Sequence, residues 1–264
     1  MPEIEQAALD YTAQGYAVVR GWLAPEEIDG LAREVGRIFA QWMEENRVAC
    51  ERERLVNMNS LTSAHYFARS EQRAHFFDML ASDRITGLIE GMFGDGIYFH
   101  NTQLFFNPFE NRRLPYWHRD MQYSPIDDAV QAREQETMLS LHVRIPLLRE
   151  QGVEVIPGTH RRWDTLRESE VRFERNGHSN SEDLPDAVLI ALDPGDVLVF
   201  DAQMIHRGNY ALNPERKALD LCVGKPHTFT LRYLDENVLP SDEELARIRN
   251  KEWFQRARRL AALR

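Results

Sequence analysis

A histidine and an aspartate two residues apart, His118 and Asp120, have the types and the spacing to bind one metal ion. In an extended chain the side chains of residues i and i+2 point the same way, so an imidazole and a carboxylate can reach a common ion. A third ligand is predicted at His206, because it follows a turn and a hydrophobic run, residues 197–200, that would deliver it to the end of a strand. Two imidazoles and one carboxylate on one face of an ion leave its other positions open for a co-substrate and oxygen, which is the arrangement of non-haem Fe(II) sites.

Arg216 would place a guanidinium beside this ion. A turn-rich segment, residues 208–214, separates it from His206 and should return the chain as a neighbouring antiparallel strand. A guanidinium can bind a carboxylate through two parallel hydrogen bonds. Arg216 is therefore predicted to bind the distal carboxylate of a 2-oxo acid that chelates the metal through its keto oxygen and adjacent carboxylate.

Other polar side chains could line the same cavity. Gln103 and Asn107 lie on or just after the predicted strand that precedes the metal motif, and they could face either the cofactor or solvent. In residues 137–146, a polar set that includes His142 and Arg144 alternates with apolar residues. If that polar face turns inward, His142 and Arg144 would contact substrate or co-substrate; the alternative is an outer face in water.

Two aromatic residues, Trp117 and Tyr123, flank the metal motif. Their rings could pack against a substrate or could form an ordinary wall of the site. Both are retained as candidate substrate contacts.

The elements that must position these residues are of two kinds. Apolar residues at helical spacing predict helices over residues 25–47 and 71–92, and the tail over 241–264 begins with a capping box, Ser241 and Glu244. The chain after residue 96 consists mainly of short β-rich runs separated by turn residues, which predicts an antiparallel sandwich or barrel. These runs are residues 97–106, 137–148, 153–156, 188–192, 197–200 and 217–223.

One segment of the predicted β region is different. Residues 161–185 are charged and polar, and they are long enough for an insertion or a mobile lid. The arginines in this segment alternate with acidic residues, so a solvated charged face is expected rather than a site for an anionic substrate.

Composition excludes several classes of function. The 264 residues are 43% hydrophobic, enough for a folded core, and no linker divides them, so one domain is expected. Lys and Arg number 32 against 42 Asp and Glu, and the resulting net charge of -10 disfavours nucleic acid and anionic membranes. No apolar stretch is long enough for a membrane helix, the first residues are acidic, and Cys50 and Cys222 have no metal-binding spacing. We therefore expect a cytoplasmic protein acting on a small molecule, and the oligomeric state is left open.

The sequence resembles the phytanoyl-CoA dioxygenase-like (PhyH-like) family of Fe(II)- and 2-oxoglutarate-dependent oxygenases. The motifs that carry this resemblance extend over most of the chain. They are GYAVVRGWL followed by a Pro-Glu-Glu helix (15–27), HRD (118–120), IPGTH (156–160), DPGD (193–196), His206 and Arg216.

The resemblance implies a mainly β, double-stranded β-helix (jelly-roll, cupin-like) core with flanking helices. Residues 1–264 would form one domain, with an N-terminal helical flank to residue 95, a core over 96–235 and a C-terminal helix over 236–264. It also implies Fe(II) bound by His118, Asp120 and His206, 2-oxoglutarate bound by Arg216, and an O2-dependent oxidation, most often a hydroxylation, that releases succinate and CO2.

The chain departs from the family pattern in three places. Residues 149–153 replace an acidic-Asn-Gly turn, Thr159 replaces a serine, and Asn107 lies where many relatives have a lysine. These departures leave the metal motif intact but bear on the 2-oxoglutarate surroundings and the substrate.

Two alternatives stay open at the level of sequence. A cupin-like isomerase or hydrolase could use Zn or Mn at the same three ligands, with Arg216 binding a substrate carboxylate instead of 2-oxoglutarate. A catalytically silent binding module could also have inherited the fold. Within the oxygenase reading, a CoA thioester is disfavoured, because the acidic chain has no evident basic cluster for its phosphates.

Overall fold

The computed structural model describes residues 2–53, 55–109 and 114–263. The helices are α1 (Pro2–Gln14), α2 (Pro25–Glu53), α3 (Ser70–Leu80), α4 (Asp83–Phe93), α5 (Asp128–Glu134), α6 (Leu166–Arg172), α7 (Thr228–Leu231), α8 (Asp242–Leu245) and α9 (Glu252–Ala261). The strands are β1 (Tyr16–Val19), β2 (Asn57–Asn59), β3 (Tyr98–Phe106), β4 (Ser140–Pro146), β5 (Glu150–Val155), β6 (Val188–Leu192), β7 (Val197–Asp201), β8 (His206–Gly208) and β9 (Lys217–Gly224).

These strands form two antiparallel sheets. The larger sheet has six strands in the order β1-β7-β4-β9-β3-β2, and the smaller has three in the order β6-β5-β8. The predicted mainly β, jelly-roll core with flanking helices is confirmed. Each of the six predicted β-rich runs contains a strand, although β5 begins earlier than predicted, at Glu150.

Alternation along β7 shows how the large sheet divides the core. Val197 and Val199 belong to the cluster that the flanking helices cover. Leu198 and Phe200 belong to the cluster shared with the small sheet. Because successive side chains point to opposite faces, one hydrophobic strand packs on two layers at once. The cavity between the two sheets is where the candidate site lies.

The N-terminal region contains strands as well as helices. The helix predicted over residues 71–92 is two helices, α3 and α4, separated at Ala81 and Ser82. Within the predicted helical flank, β1 pairs with β7 and β2 pairs with β3. These strands are only four and three residues long, too short for a periodicity argument to detect.

The C-terminal tail keeps the predicted cap but not one continuous helix. Ser241 and Glu244 form the capping box, with each side chain bonded to the other's backbone N–H. The helix then ends at Leu245, and α9 follows after a break. Trp253 and Phe254 of α9 are fully buried, so this helix packs on the core through one face. The predicted outer limits at residues 1 and 264 lie outside the described residues.

The solvated charged face predicted for residues 161–185 holds for Arg161, Arg162, Arg167 and Arg175, which are exposed, but not for Arg172, which is buried with Asp164. Both oxygens of Asp164 accept hydrogen bonds from guanidinium groups, Oδ1 from Arg119 at 2.8 and 3.0 Å and Oδ2 from Arg172. All three side chains are at most 1% exposed. A carboxylate between two guanidinium groups satisfies the charges that burial would otherwise leave unpaired. The segment is thereby joined to Arg119, the residue between two predicted metal ligands.

Within the described ranges, no helix combines the length and the apolar character needed to cross a membrane.

Candidate active site

His118 and His206 are brought together by a backbone bridge. The N–H of each residue donates to the carbonyl of the other, both at 3.0 Å, and the ring centroids lie 4.3 Å apart. The Nδ1 atom of His118 is 3.1 Å from the carbonyl of Tyr116, and that of His206 is 3.0 Å from the carbonyl of Met204. A carbonyl can only accept, so Nδ1 carries the proton and Nε2 keeps its lone pair for a metal.

Asp120 supplies the third candidate ligand atom. Its Oδ1 lies 3.4 Å from Nε2 of His206 and 3.7 Å from Nε2 of His118. One ligand atom from each of the three residues falls within 4.8 Å of the others. Ligand atoms bound at about 2.1 Å and at right angles lie about 3 Å apart, so the three residues fit one divalent ion with little adjustment.

The electrostatics of these residues also suit a cation. Burial lowers the pKa of His118. The pKa of His206 is lowered to about 3, first by burial and then by the nearby His118. Both imidazoles are therefore neutral. Burial alone would raise the pKa of Asp120, but the imidazole of His142, which donates a hydrogen bond to it, outweighs burial and holds that pKa well below its usual value. A neutral pair of imidazoles with an ionised carboxylate is the protonation state that binds a metal.

Arg216 lies in the same cavity, and one of its nitrogens has no hydrogen-bond partner among the described residues. Its Nε donates to Oε2 of Glu150 at 2.7 Å, whereas no described residue offers Nη1 a hydrogen bond, and the residue is 1% exposed. Gly152 makes this placement possible, because a Cβ there would lie 3.0 Å from Nε of Arg216 and 2.6 Å from Oε2 of Glu150. A buried, unpaired guanidinium N–H is a group that an anion would satisfy.

One cavity of about 260 Å³ collects most of the predicted site. Eight of the predicted residues line it: His118, Asp120, His206, Arg216, Gln103, Tyr123, His142 and Arg144. The lining also includes Phe105, Tyr116, Tyr210, Asp220 and Arg207, which is paired with Glu154. A second cavity of about 230 Å³ adjoins it and shares Gln103, Asp120, Tyr123 and His142. The polar face of β4 therefore points inward, toward the predicted ligands.

Trp117 does not line this cavity, and the prediction that it contacts substrate is corrected. The residue is fully buried among Ile156, Val171, Leu184 and Ile205. Its indole N–H donates to the carbonyl of Glu182 at 2.8 Å, and the Arg207 guanidinium lies 4.3 Å from the ring centroid. In an extended segment adjacent side chains point to opposite sides, so Trp117 faces away from the side that His118 faces.

Asn107 is also outside the lining of both cavities. Its side-chain N–H donates to the carbonyl of Asn213 at 2.7 Å. Asn213 in turn bonds to the backbone N–H and carbonyl of Gln151 at 2.7 and 2.8 Å. Asn107 thus braces the loop between β8 and β9, and the prediction that it binds cofactor is not supported by its position.

Sequence reasoning missed several residues of the site, of which three bear on its chemistry. Asp220 and Glu150 are buried carboxylates that pair with Arg144 and Arg216, and Tyr210 lines the cavity from the loop after β8. For Asp220 a signal existed, because it is a single charge within the apolar run of β9. A charge inside a buried strand requires a partner, and that partner lies on the neighbouring strand.

Comparisons with known proteins identify the family and agree with the fold. The family model described as Phytanoyl-CoA dioxygenase (PhyH) matches residues 11–218. The ectoine dioxygenase of Nocardia farcinica is 25% identical over 223 residues, which cover 77% of this chain and 72% of that protein. The ectoine dioxygenase of Sphingopyxis alaskensis is 22% identical over 232 residues, covering 82% and 74%.

Solved structures share the fold at lower identity. AviO1 from Streptomyces viridochromogenes has a TM-score of 0.59 at 17% identity, covering 86% of this chain and 96% of that chain. HygX from Streptomyces hygroscopicus, with nickel and 2-oxoglutarate bound, has a TM-score of 0.59 at 14% identity, covering 83% and 86%. EctD from S. alaskensis, with 2-oxoglutarate and 5-hydroxyectoine, has a TM-score of 0.55 at 18% identity, covering 83% and 75%. With the family match over most of its length, the chain belongs to the phytanoyl-CoA dioxygenase (PhyH) family, the non-haem dioxygenases that depend on Fe(II) and 2-oxoglutarate.

Proposed function

We propose that this dioxygenase hydroxylates a small polar molecule, with His118, Asp120 and His206 as Fe(II) ligands and Arg216 as the anchor of 2-oxoglutarate. The observation that carries the proposal is their convergence on one cavity, in which one nitrogen of Arg216 has no partner within the part of the chain that the structure describes. Bound Fe(II) would let O2 oxidise a substrate C–H bond to an alcohol while 2-oxoglutarate is converted to succinate and CO2.

Arg216 would bind 2-oxoglutarate mainly through a directed hydrogen bond and less through its positive charge. Glu150 already balances its charge at 2.7 Å, so the free Nη1 offers a hydrogen bond at a defined place in the cavity. The distal carboxylate of 2-oxoglutarate would accept that bond and fix the rest of the molecule relative to the three ligands.

The adjoining cavity supports a substrate without strong charge. Its lining shares Asp120 and His142, which pair with each other, with the first cavity, and its other side chains carry hydroxyl, amide, imidazole, thiol or apolar groups: His100, Gln103, Met121, Tyr123, Ser124, Ser140, Leu141, Gln203, Cys222, Thr230 and Tyr233. Among the described residues this lining contains neither lysine nor arginine, whereas the phosphates of CoA would require cations. Two relatives are named ectoine dioxygenases, which makes ectoine the first substrate to test.

We place the enzyme in the cytoplasm. Cys50 and Cys222 are free thiols, which suits a reducing compartment. The acidic net charge of -10 suits neither nucleic acid nor an anionic membrane as a partner.

The test is turnover of 2-oxoglutarate by enzyme reconstituted with Fe(II) under argon and then exposed to O2. Succinate is measured alone and with ectoine or other polar metabolites, and hydroxylated product is identified by mass spectrometry. His206→Ala should abolish succinate formation, whereas His65→Ala, at an exposed histidine, should not change it. Undiminished turnover in His206→Ala would remove the assignment of His206.

A second measurement separates the dioxygenase from a cupin-like isomerase or hydrolase. Calorimetric titration of the Mn(II)-loaded enzyme with 2-oxoglutarate should show saturable binding with one site per chain. Binding that does not saturate would instead support a reaction in which Arg216 holds a substrate carboxylate.

A further inference from the structure

A series of buried charged side chains connects Asp120 with Arg216. Each side chain between the two ends is at most 6% exposed. The contacts are His142 Nε2 to Asp120 Oδ2 at 2.7 Å, His142 Nδ1 to Asp220 Oδ2 at 3.0 Å, Arg144 to both oxygens of Asp220 at 2.7 and 2.9 Å, Arg144 Nε to Glu150 Oε1 at 3.9 Å, and Arg216 Nε to Glu150 Oε2 at 2.7 Å.

The register of two strands produces the central part of this series. His142 and Arg144 are two residues apart on β4 and therefore share a face. Asp220 on β9 is directly opposite Arg144, and Cys222 is opposite His142. The Asp220 carboxylate can thus reach both neighbours, one straight across and one diagonally. Phe200 on β7 stacks on the imidazole of His142 with centroids 4.9 Å apart and planes 13° from parallel, which fixes the plane of the ring.

The two oxygens of Asp120 consequently differ in their surroundings. Oδ1 lies near the Nε2 atoms of His118 and His206, at 3.7 and 3.4 Å. Oδ2 instead accepts the hydrogen bond from His142. His142 lies behind the carboxylate: its ring centroid is 6.3 Å from that of His206, against 4.3 Å between His118 and His206.

From this asymmetry we infer that His142, supported by Asp220 and Arg144, is a positioning residue that keeps Asp120 bound to the metal through Oδ1 alone. The inference rests on the proposed function, because it concerns the proposed Fe(II) ligand. Its chemical consequence is the number of open positions. Three protein donors leave three positions of a six-coordinate ion for the two oxygens of 2-oxoglutarate and for O2, and a bidentate Asp120 would occupy one of them.

Two substitutions of His142 distinguish the effect of losing the hydrogen bond to Asp120 from the effect of changing the packing of the ring. His142→Phe keeps a ring that can stack on Phe200 but has no donor for Asp120, whereas His142→Gln keeps a side-chain N–H. Mn(II) affinity is measured by calorimetry, and 2-oxoglutarate affinity is then measured on the Mn(II)-loaded enzyme, so neither readout depends on activity. We expect His142→Phe to lower Mn(II) affinity about 10- to 100-fold and to weaken 2-oxoglutarate binding as well, with substantial recovery in His142→Gln.

His160→Phe is the matched control, because His160 is a buried histidine that lines neither cavity of the site. Its Mn(II) and 2-oxoglutarate affinities should equal those of the wild type. If His142→Phe does not fold, as judged by circular dichroism, His142→Asn replaces it, since that amide is too short to reach Asp120.

Two results would overturn the inference: unchanged affinities in the variant that lacks the donor, or an equal loss in it and in His142→Gln, which would indicate a purely steric role. Failure of the proposed function has a different signature. In that case the wild type itself shows no saturable 2-oxoglutarate binding, while the effect of His142 on Mn(II) affinity remains measurable.

Discussion

Replacement of Arg216 by lysine tests the anchor assignment without unbalancing the buried charges. The Nε of the guanidinium donates to Glu150 at 2.7 Å, whereas Nη1 has no partner in residues 2–53, 55–109 and 114–263 and is left for the ligand. A lysine ammonium has its three N–H donors on one nitrogen, so it can remain paired with Glu150 but cannot also place an N–H where Nη1 lies. Alanine would be a poorer choice, because buried Glu150 would lose its hydrogen-bonded partner and keep only Arg144 at 3.9 Å, at a cost of up to about 3–5 kcal/mol of folding stability.

The expected size of the effect follows from the single contact that is lost. A hydrogen bond between charged groups contributes about 1.5–3 kcal/mol, and about 1.4 kcal/mol corresponds to a factor of ten. Arg216→Lys should therefore raise the dissociation constant of 2-oxoglutarate by about 10- to 100-fold. At saturating 2-oxoglutarate, kcat should change little, because the metal ligands are untouched.

The assay is calorimetric titration of the Mn(II)-loaded protein, together with the KM for 2-oxoglutarate in the succinate assay. Arg73→Lys is the matched control, since Arg73 is a buried arginine paired with Glu244 at 3.0 Å and lies outside the cavity. That variant should lose stability without a change in 2-oxoglutarate affinity. A folded Arg216→Lys enzyme that binds 2-oxoglutarate within twofold of the wild type would refute the assignment.

Three further predictions concern buried groups around the site. Asp164→Asn removes the charge shared by Arg119 and Arg172, so urea denaturation should show a free energy of unfolding lower by about 3–5 kcal/mol; a loss under 1 kcal/mol would contradict the buried network. Trp117→Phe should cost about 1–3 kcal/mol through its lost hydrogen bond and packing, with the KM for 2-oxoglutarate unchanged, and a raised KM would argue against its placement in the core. Burial raises the pKa of Asp201 to about 6 in the folded protein, so its contribution to stability is complete below about pH 3.9 and is lost as the pH rises through 6. Relative to the wild type, Asp201→Asn should therefore gain up to about 3 kcal/mol between pH 4 and 7, and a difference that stays flat with pH would show that the carboxyl is not perturbed.

Local patterns were sufficient for much of this fold and site. The β-rich runs after residue 96 all contain strands, since turn residues and β-branched stretches are short-range signals. The spacing of His118 and Asp120 placed two candidate ligands on one side of an extended segment, and the backbone bridge to His206 added the third. The short strands β1 and β2 escaped detection, because their pairing partners lie far away in the sequence.

Alternation along β4 could not say which face points inward. Its polar and apolar sets are both almost fully buried, so no solvent-facing side distinguishes them. The choice is made by packing: Leu141 and Val143 meet the helix-covered core, which leaves His142 and Arg144 for the cavity. Trp117 was misassigned for a related reason, because closeness in sequence to a ligand does not imply the same side of the chain.

By itself the sequence determined which residues could bind a metal and a dicarboxylate, because side-chain chemistry and a spacing of two residues are local properties. Only the tertiary structure decided which buried side chains contact those residues. His142 meets Asp120 and Asp220 because β4 and β9 pair in one particular register, and a shift by a single residue would turn every one of these side chains to the opposite face. That register depends on how two hydrophobic layers pack together, and packing between distant segments is not encoded in any one of them.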